Sequence, residues 1–282
     1  MDKATRDALT ERVRDFYDGP ADVLYRTTWG ENLHLGLPRQ PGDDQTDAAV
    51  HTTERMAGAV ALHPGVSVLD LGCGYGGPAR QLASRYGCRV TGLNLSRVEL
   101  DEAVRRTREA GLEDRVTYVQ GDFHELDFAD ASFDVVWSQD SLMYGADKPR
   151  ILREAHRVLK PGGMLDVTDI LASRDLPEHH RRRLYERVRT PEMWDIERYL
   201  TELMGIGFQV RRLEDWSEHV AASYAAARAA TIEKREELTA QVGAEMIDRT
   251  LDGLAFWVEM ATRGLVGWAL FVARKPLAPH AA

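Results

Sequence analysis

Cysteine is nearly absent from this chain: Cys73 and Cys88 are the only two among 282 residues. Two cysteines so placed offer neither a disulfide framework nor the spacing of a metal site. Cys73 lies inside a glycine-rich loop, where it reads as a small buried residue rather than a reactive thiol. Long apolar runs are missing as well. No stretch approaches the roughly 18 apolar residues of a membrane span. The opening residues, M-D-K-A-T-R-D-A-L-T-E-R, lack the apolar core of a secretory leader. The expectation is therefore a cytoplasmic protein with no membrane partner. There is no excess of positive charge either. Lys and Arg number 36 against 45 Asp and Glu, a formal net charge of −9, which argues against a nucleic-acid surface. Internal repeats and low-complexity tracts are also absent. What remains is an ordinary globular composition, 44% apolar and 29% charged, long enough for one large core or for a core plus a lid.

The rest of the chain is arranged around Val66–Pro78, which reads V-S-V-L-D-L-G-C-G-Y-G-G-P. An apolar run ends at Asp70, and Gly72, Gly74 and Gly76 follow it. The run suits a buried parallel strand, and the glycines suit a tight turn where backbone approaches a ligand. Helix N-terminal amides would then face that ligand. Because Gly77 also fills the third slot of a G-x-G-x-x-G pattern, the loop alone leaves a dinucleotide and another adenosine ligand both open. Further along, Arg89–Leu95, Val116–Asp122 and Phe133–Gln139 read as strands. Leu159-Lys160-Pro161-Gly162-Gly163 turns into a fifth, Met164–Thr168. Residues 66–171 thus alternate strand and helix, which predicts parallel βαβ units. Asp70, Asn94, Asp122 and Gln139 all fall at predicted strand ends, the edge at which such sheets bind ligands.

Around this core the sequence predicts helical additions. Residues 4–18 and Ala21–Trp29 carry helical spacing, broken by Gly19-Pro20. W-G-E-N-L-H-L-G-L (Trp29–Leu37) and a polar loop, Pro38–Gln45, lead to a predicted helix, Thr46–Leu62. Residues 1–62 are too short for a core of their own and read as a lid over a core at 63–171. Tyr25 and Trp29 are either core anchors of that lid or cover for a cofactor. Residues 172–216 read as a helical connection and a sixth strand, with Thr190-Pro191-Glu192 as the first turn of a helix running to Gly205. The basic run His179–Arg183 is a solvated helix face or an anion site. Residues 217–263 are amphipathic and helical, a cap that could cover the site or bury a face against a second copy in a homo-oligomer. Leu265–Ala273 reads as the final strand, within 264–275, and the tail Arg274–Ala282 is expected to fray.

The loop D-L-G-C-G-Y-G-G-P-A-R and the strands after it resemble the class I methyltransferases that use S-adenosylmethionine (SAM). The resemblance implies a Rossmann-like, seven-stranded α/β sheet with helices on both faces, its last strand antiparallel beside the fifth, plus the helical cap. It also implies SAM as cofactor and a small-molecule methyl acceptor, without a metal. W-G-E-N-L-H-L-G-L, L-N-L-S-R, F-D-V-V-W-S-Q-D-S, G-L-A-F-W-V (Gly253–Val258) and G-W-A-L-F (Gly267–Phe271) are similar to the sarcosine/dimethylglycine N-methyltransferases. In this family Asn94, twenty residues after Gly74, stands where an acidic residue usually takes the ribose hydroxyls, with Leu95 beside it. Asp122 would meet the adenine amino group and Phe123 its face. Asp70 would order the glycine loop by accepting backbone N–H bonds.

Two departures fall on the acceptor side. Leu142-Met143-Tyr144 stands where the betaine enzymes read L-H, and Thr168-Asp169-Ile170-Leu171 where they read T-D-P-M. Tyr144 and Asp169 thus occupy the places of catalytic assistance, and the usual His is missing. A hydroxyl acceptor gains more from a positioned base than an amine that arrives neutral, so amine methylation fits this site better. Tyr144, Tyr185, Trp194 and Trp216 are candidates for an aromatic cage. A substrate carboxylate would need one of Arg174, Arg181–Arg183, Arg187 or Arg189. The competing expectations are an O- or C-methyltransferase of secondary metabolism, acting on a sugar, phenol or isoprenoid diphosphate, and a SAM-binding domain without turnover.

Overall fold

In the computed structural model, which describes residues 2–40 and 43–277, the chain begins with three helices. α1 (Lys3–Tyr17) starts where the Asp2 carboxylate accepts the Thr5 N–H. α2 (Pro20–Thr28) starts on a proline, whose missing N–H costs nothing in a first turn. α3 (Gln45–Ala57) is capped by Asp44 and stops at Gly58, short of the expected Leu62. Val60 and Leu62 instead sit in the following connection, packed against the core. Met1, Pro41 and Gly42 of the expected polar loop, and residues 278–282 of the expected frayed tail lie outside the described residues. At the head of that tail, Arg274 is strand and pairs with both Met164 and Gln209.

Strand and helix then alternate as the sequence predicts: β1 (Ser67–Leu71), α4 (Gly77–Tyr86), β2 (Arg89–Asn94), α5 (Arg97–Glu109), β3 (Val116–Gln120), β4 (Phe133–Gln139), α6 (Lys148–Val158) and β5 (Leu159–Ala172). β5 is much longer than Met164–Thr168. Its register against β4 jumps from Phe133–Leu159 to Val135–Met164, so the Lys160–Gly163 segment bulges and the strand resumes beyond it. α7 (Glu178–Val188) and α8 (Ile196–Ile206) follow. Thr190 does not cap α8. Its hydroxyl donates to the Met143 carbonyl, and Asp195 caps the helix by accepting the Arg198 N–H at 2.7 Å. β6 (Gln209–Asp215), the cap helices α9 (Val220–Glu233), α10 (Arg235–Val242) and α11 (Ala244–Thr262), and β7 (Val266–Arg274) complete the order.

Among the described residues the sheet has seven strands in the order β3-β2-β1-β4-β5-β7-β6. β7 runs antiparallel to both its neighbours, and the other strand pairs are parallel. Side chains alternate between two apolar clusters: Val68 joins one, Leu69 and Leu71 the other. Leu82 of α4 and Trp257 of α11 cover the first face, and Ile151 of α6 and Leu203 of α8 cover the second. Burial on both faces is why β1 reads as an unbroken apolar run. α9 and α10 pack on α2, and α9 also on α3, so the cap and the N-terminal helices meet. No helix among the described residues is long and apolar enough to cross a membrane. Strand order reverses between β1 and β4, and a crevice opens there at the carboxyl ends of the strands.

Candidate active site

A cavity of about 780 Å³ fills that crevice. Gly72, Gly74, Asn94, Leu95, Phe123 and Gln139 all line it, as the sequence predicts. Gly72 has φ +75°, and a Cβ there would strike the Ser141 side chain. Only glycine meets both conditions without strain. Asp70 lines the cavity too, but it does not order the loop. The Gly72 and Cys73 N–H groups donate instead to the Leu93 carbonyl, at 2.8 and 3.1 Å. Asp70 Oδ2 is buried without a partner, and burial raises its carboxyl to about 7. Gln139 Oε1 is held by Thr53 and by the Trp137 indole at 3.2 and 3.0 Å, which leaves its Nε2 unpartnered.

Glu99 was not foreseen. It sits in the first turn of α5, where Ser96-x-x-Glu99 reads as a capping box. Ser96 Oγ does accept the Glu99 N–H at 3.1 Å. The Glu99 carboxylate, however, turns to Asn94, whose Nδ2 donates to Oε2 at 2.6 Å. Oε1 is left buried and unpartnered beside the cavity. Burial lifts Glu99 to about 8, against the pull of that Asn94 bond. Glu99 thus places a carboxylate beside Asn94, five residues after it. Asp122, by contrast, does not line the cavity. Its Oδ1 accepts from the His124 N–H at 2.8 Å and from His124 Nδ1 at 2.5 Å, so the loop itself holds this carboxylate.

A second cavity of about 430 Å³ adjoins the first, sharing Tyr17, Leu33, His34, Asp140 and Tyr144 as a common wall. Tyr25 and Trp29 open onto this second cavity and not onto the glycine-loop side. Tyr224 of the cap completes an aromatic lining. Tyr144 does reach the wall, and its hydroxyl bonds to that of Tyr17 at 2.6 Å. The other proposed cage residues are elsewhere. Trp194 packs on Tyr199, Trp216 on Trp268, and Tyr185 faces an outer groove. Asp169 lines neither cavity. It accepts the Met143 N–H at 3.0 Å and the Tyr199 hydroxyl, so it holds the short turn Leu142–Tyr144 in place.

Of the basic candidates, Arg187 alone reaches the second cavity. Arg174 pairs with Asp195 and Glu197, Arg183 with Asp252, and Arg181 and Arg182 with Glu178; Arg189 lines the outer groove. The Arg187 guanidinium lies 6.0 Å from the Tyr224 ring centroid and 5.9 Å from that of Trp257. It crosses α11 at Gly253, where a Cβ would stand 2.6 Å from its Cδ.

A histidine that the sequence reading did not single out, His34 of the N-terminal segment, lines both cavities. His34 is 3% exposed. Its Nδ1 lies 3.0 Å from the Leu35 carbonyl. A carbonyl only accepts, so Nδ1 carries the proton and Nε2 has a bare lone pair. Nε2 is buried with no partner. Burial holds the ring below its usual range. Asp140 stands beside it with φ +53°, a conformation uncommon for a non-glycine residue. The Leu35 N–H, the Thr168 hydroxyl and the Trp268 indole each donate to its carboxylate at 2.8 Å. Burial raises Asp140, and these donors and the nearby imidazole oppose the rise. The signal for His34 was a polar residue amid apolar ones in L-H-L; for the strained Asp140 there was none.

Comparisons with known proteins identify the family. The family described as "Methyltransferase domain" matches residues 69–167. The chain is 38% identical to the glycine/sarcosine/dimethylglycine N-methyltransferase of Actinopolyspora halophila, over 93% of its own length and 47% of that protein. It thus spans about half of that relative. It is 36% identical to the sarcosine/dimethylglycine N-methyltransferase of Halorhodospira halochloris, over 96% of this chain and 99% of that one. The crystal structure of a candidate sarcosine dimethylglycine methyltransferase from Galdieria sulphuraria superimposes with a TM-score of 0.87 at 28% identity, covering 93% of this chain and 100% of that one. The chain belongs to the class I SAM-dependent methyltransferases. It is an enzyme that moves a methyl group from SAM to a small molecule, and within the family it is similar to the sarcosine/dimethylglycine N-methyltransferases. The first cavity suits SAM: the unpartnered acceptors Asp70 Oδ2 and Glu99 Oε1 match the ammonium and hydroxyl donors that SAM carries.

Proposed function

We propose that the acceptor is a small amine that carries a carboxylate, sarcosine or dimethylglycine, and that the methyl goes to its nitrogen. The observation that carries this reading is Arg187, a guanidinium with no ion pair among the described residues, at the edge of an aromatic cavity. It can fork onto a carboxylate. The aromatic faces of Tyr25, Trp29 and Tyr224 suit the cationic ammonium at the other end. The cavity beside these rings has room for an acceptor of that size.

Bound SAM supplies an electrophilic methyl group on its sulfonium. The chain's residues supply the rest. Asp70 takes the ammonium of the donor's amino-acid end, and Glu99 with Asn94 takes the ribose hydroxyls. Gly72 and Gly74 let backbone close on the donor, while Leu95, Phe123 and Gln139 border its adenosine. Asp169 acts on position only, through the Met143 N–H and the turn that carries Tyr144. The wall shared by the two cavities would hold donor and acceptor together and exclude water, the placement from which much of such a rate comes.

Labelled SAM, offered with sarcosine, dimethylglycine, sugars, phenols and prenyl diphosphates, tests the proposal. Transfer to a glycine derivative is expected, and Arg187→Gln should raise its KM by about 10–100-fold while SAM affinity stays constant, as for a lost charge-assisted contact. Transfer to a phenol, sugar or diphosphate and none to either glycine derivative would refute it.

A further inference from the structure

We propose that His34 Nε2 takes the proton from the acceptor's ammonium before methyl transfer. The proposal rests on the amine reading above. At neutral pH dimethylglycine arrives protonated, and its nitrogen has no lone pair to offer. Some group must receive that proton in a cavity from which water is excluded. Three observations converge on His34. It lies in the wall common to both cavities, where the acceptor nitrogen must sit to meet the methyl. Its Nε2 is buried and makes no hydrogen bond. Its tautomer is fixed by the Leu35 carbonyl on Nδ1, so the lone pair is on Nε2.

The surroundings favour a base that is neutral at rest and tolerates a brief positive charge. Desolvation keeps the free imidazole unprotonated, and the Asp140 carboxylate favours the imidazolium once it forms. Asp140 does not touch the ring. It accepts the Leu35 N–H, and the Leu35 carbonyl accepts from His34 Nδ1, so the backbone of Leu35 fixes both groups. The other titratable groups lining the second cavity with His34 are Tyr17 of α1, Tyr25 of α2, Asp140, Tyr144, Tyr224 of α9 and the Arg187 cation of α7, and the first cavity adds Arg14, Glu31, Asp70, Cys73 and Glu99. Burial keeps the Tyr17, Tyr144 and Tyr224 hydroxyls protonated, so none of them competes as a base.

The step balances as follows. The acceptor's N–H bond breaks and its proton goes to Nε2. The freed nitrogen pair forms the new N–C bond as the methyl's C–S bond breaks, and that electron pair stays on sulfur. The quaternary product of dimethylglycine has no N–H, so His34 returns its proton to solvent as the site opens.

The test uses the full chain saturated with S-adenosylhomocysteine and labelled with ¹⁵N-histidine. Adding dimethylglycine should move the His34 Nε2 resonance from the bare toward the protonated position. Adding glycine betaine, which carries the same charges but no N–H, should not. In turnover, His34→Asn keeps a donor for the Leu35 carbonyl and removes Nε2. It should lose about 10²–10⁴-fold in kcat, and its activity should climb with pH toward the substrate amine's own range, where solvent can take the proton. An Nε2 resonance that responds alike to both ligands, or a variant with wild-type kcat and pH profile, would overturn the proposal and leave the acceptor assignment standing. A wild type inert toward both glycine derivatives would overturn the acceptor assignment and this proposal with it.

Discussion

Asp70→Asn is expected to stabilise the free protein at alkaline pH and to weaken its hold on SAM. Asp70 is fully buried, its Oδ2 has no partner, and no cation offsets its burial. Its carboxyl rises from 3.8 to about 7 in the folded chain. Folding therefore assists protonation. The contribution of this group to stability is complete below 3.8, falls as pH rises, and is lost above about 7. About three pH units at 1.36 kcal/mol each bound the penalty at roughly 4 kcal/mol. Local relaxation reduces that figure, and an asparagine amide is itself left unpaired, so about 2 kcal/mol is a reasonable gain near pH 8.5. For a chain of this size that is roughly 4–8 °C in Tm. The same substitution removes a charge-assisted bond to the donor's ammonium, which should weaken SAM by about 10–100-fold. Thermal denaturation of the apo protein at about pH 6 and pH 8.5, with titration calorimetry of SAM, reads both effects. About two thirds of the penalty has accrued by pH 6, so the variant should exceed wild type at both pH values, and by roughly 1 kcal/mol more at the higher. A variant no more stable at the higher pH, or one that binds SAM undiminished, would show that Asp70 is neither desolvated nor a ligand.

Two further substitutions probe the wall and its support. Tyr17→Phe removes the 2.6 Å bond to the Tyr144 hydroxyl; amide exchange in α1 should speed up by an amount equivalent to about 0.5–1.5 kcal/mol, read by hydrogen–deuterium exchange. Asp169→Asn should cost about 1–3 kcal/mol in denaturant unfolding, because the Tyr199 hydroxyl and Met143 N–H both donate to that carboxylate. It should leave SAM affinity and the pH profile of turnover unchanged, which a directly catalytic Asp169 would not.

The donor half of the site was readable because it depends on local sequence. Strand ends, a glycine turn and the residues just after them are fixed by one βαβ unit at a time, so Gly72, Gly74, Asn94, Leu95, Phe123 and Gln139 reach the cavity they were expected to reach. The misses have a common cause in tertiary packing. Asp122 sits at a strand end like the others, yet His124 two residues on captures its carboxylate. Glu99 fits a helix-capping pattern, and only its contact with Asn94 reveals the second role. The second cavity, proposed above for the acceptor, draws on α1, α2, the Trp29–Leu35 segment, Asp140, Tyr144, Ile170, α7 and α9, far apart in sequence and brought together by the cap. Periodicity identifies each of these as a helix or loop but says nothing of which residues face one another. Trp194 and Trp216 failed as cage residues for that reason, and Tyr17 and Tyr224 went unnoticed.

Gly253 shows how a residue of that half can be tested apart from stability. It lies inside α11, a position where glycine costs about 1 kcal/mol relative to alanine. Its backbone is not in the left-handed region, so an L side chain brings no strain from φ. The added Cβ would instead stand 2.6 Å from Arg187 Cδ and 2.8 Å from its Nε. The Arg187 stem must shift, and its guanidinium, about 6 Å from both the Tyr224 and Trp257 ring centroids, moves with it. Gly253→Ala should therefore hold or gain stability through helix propensity and yet bind a carboxylate acceptor less well. KM for that acceptor should rise several-fold with SAM affinity constant. Equal KM values would mean that the helix has no need of a glycine there to seat Arg187. A fall in Tm beside the rise in KM would mean that the collision is absorbed by the core rather than by the arginine.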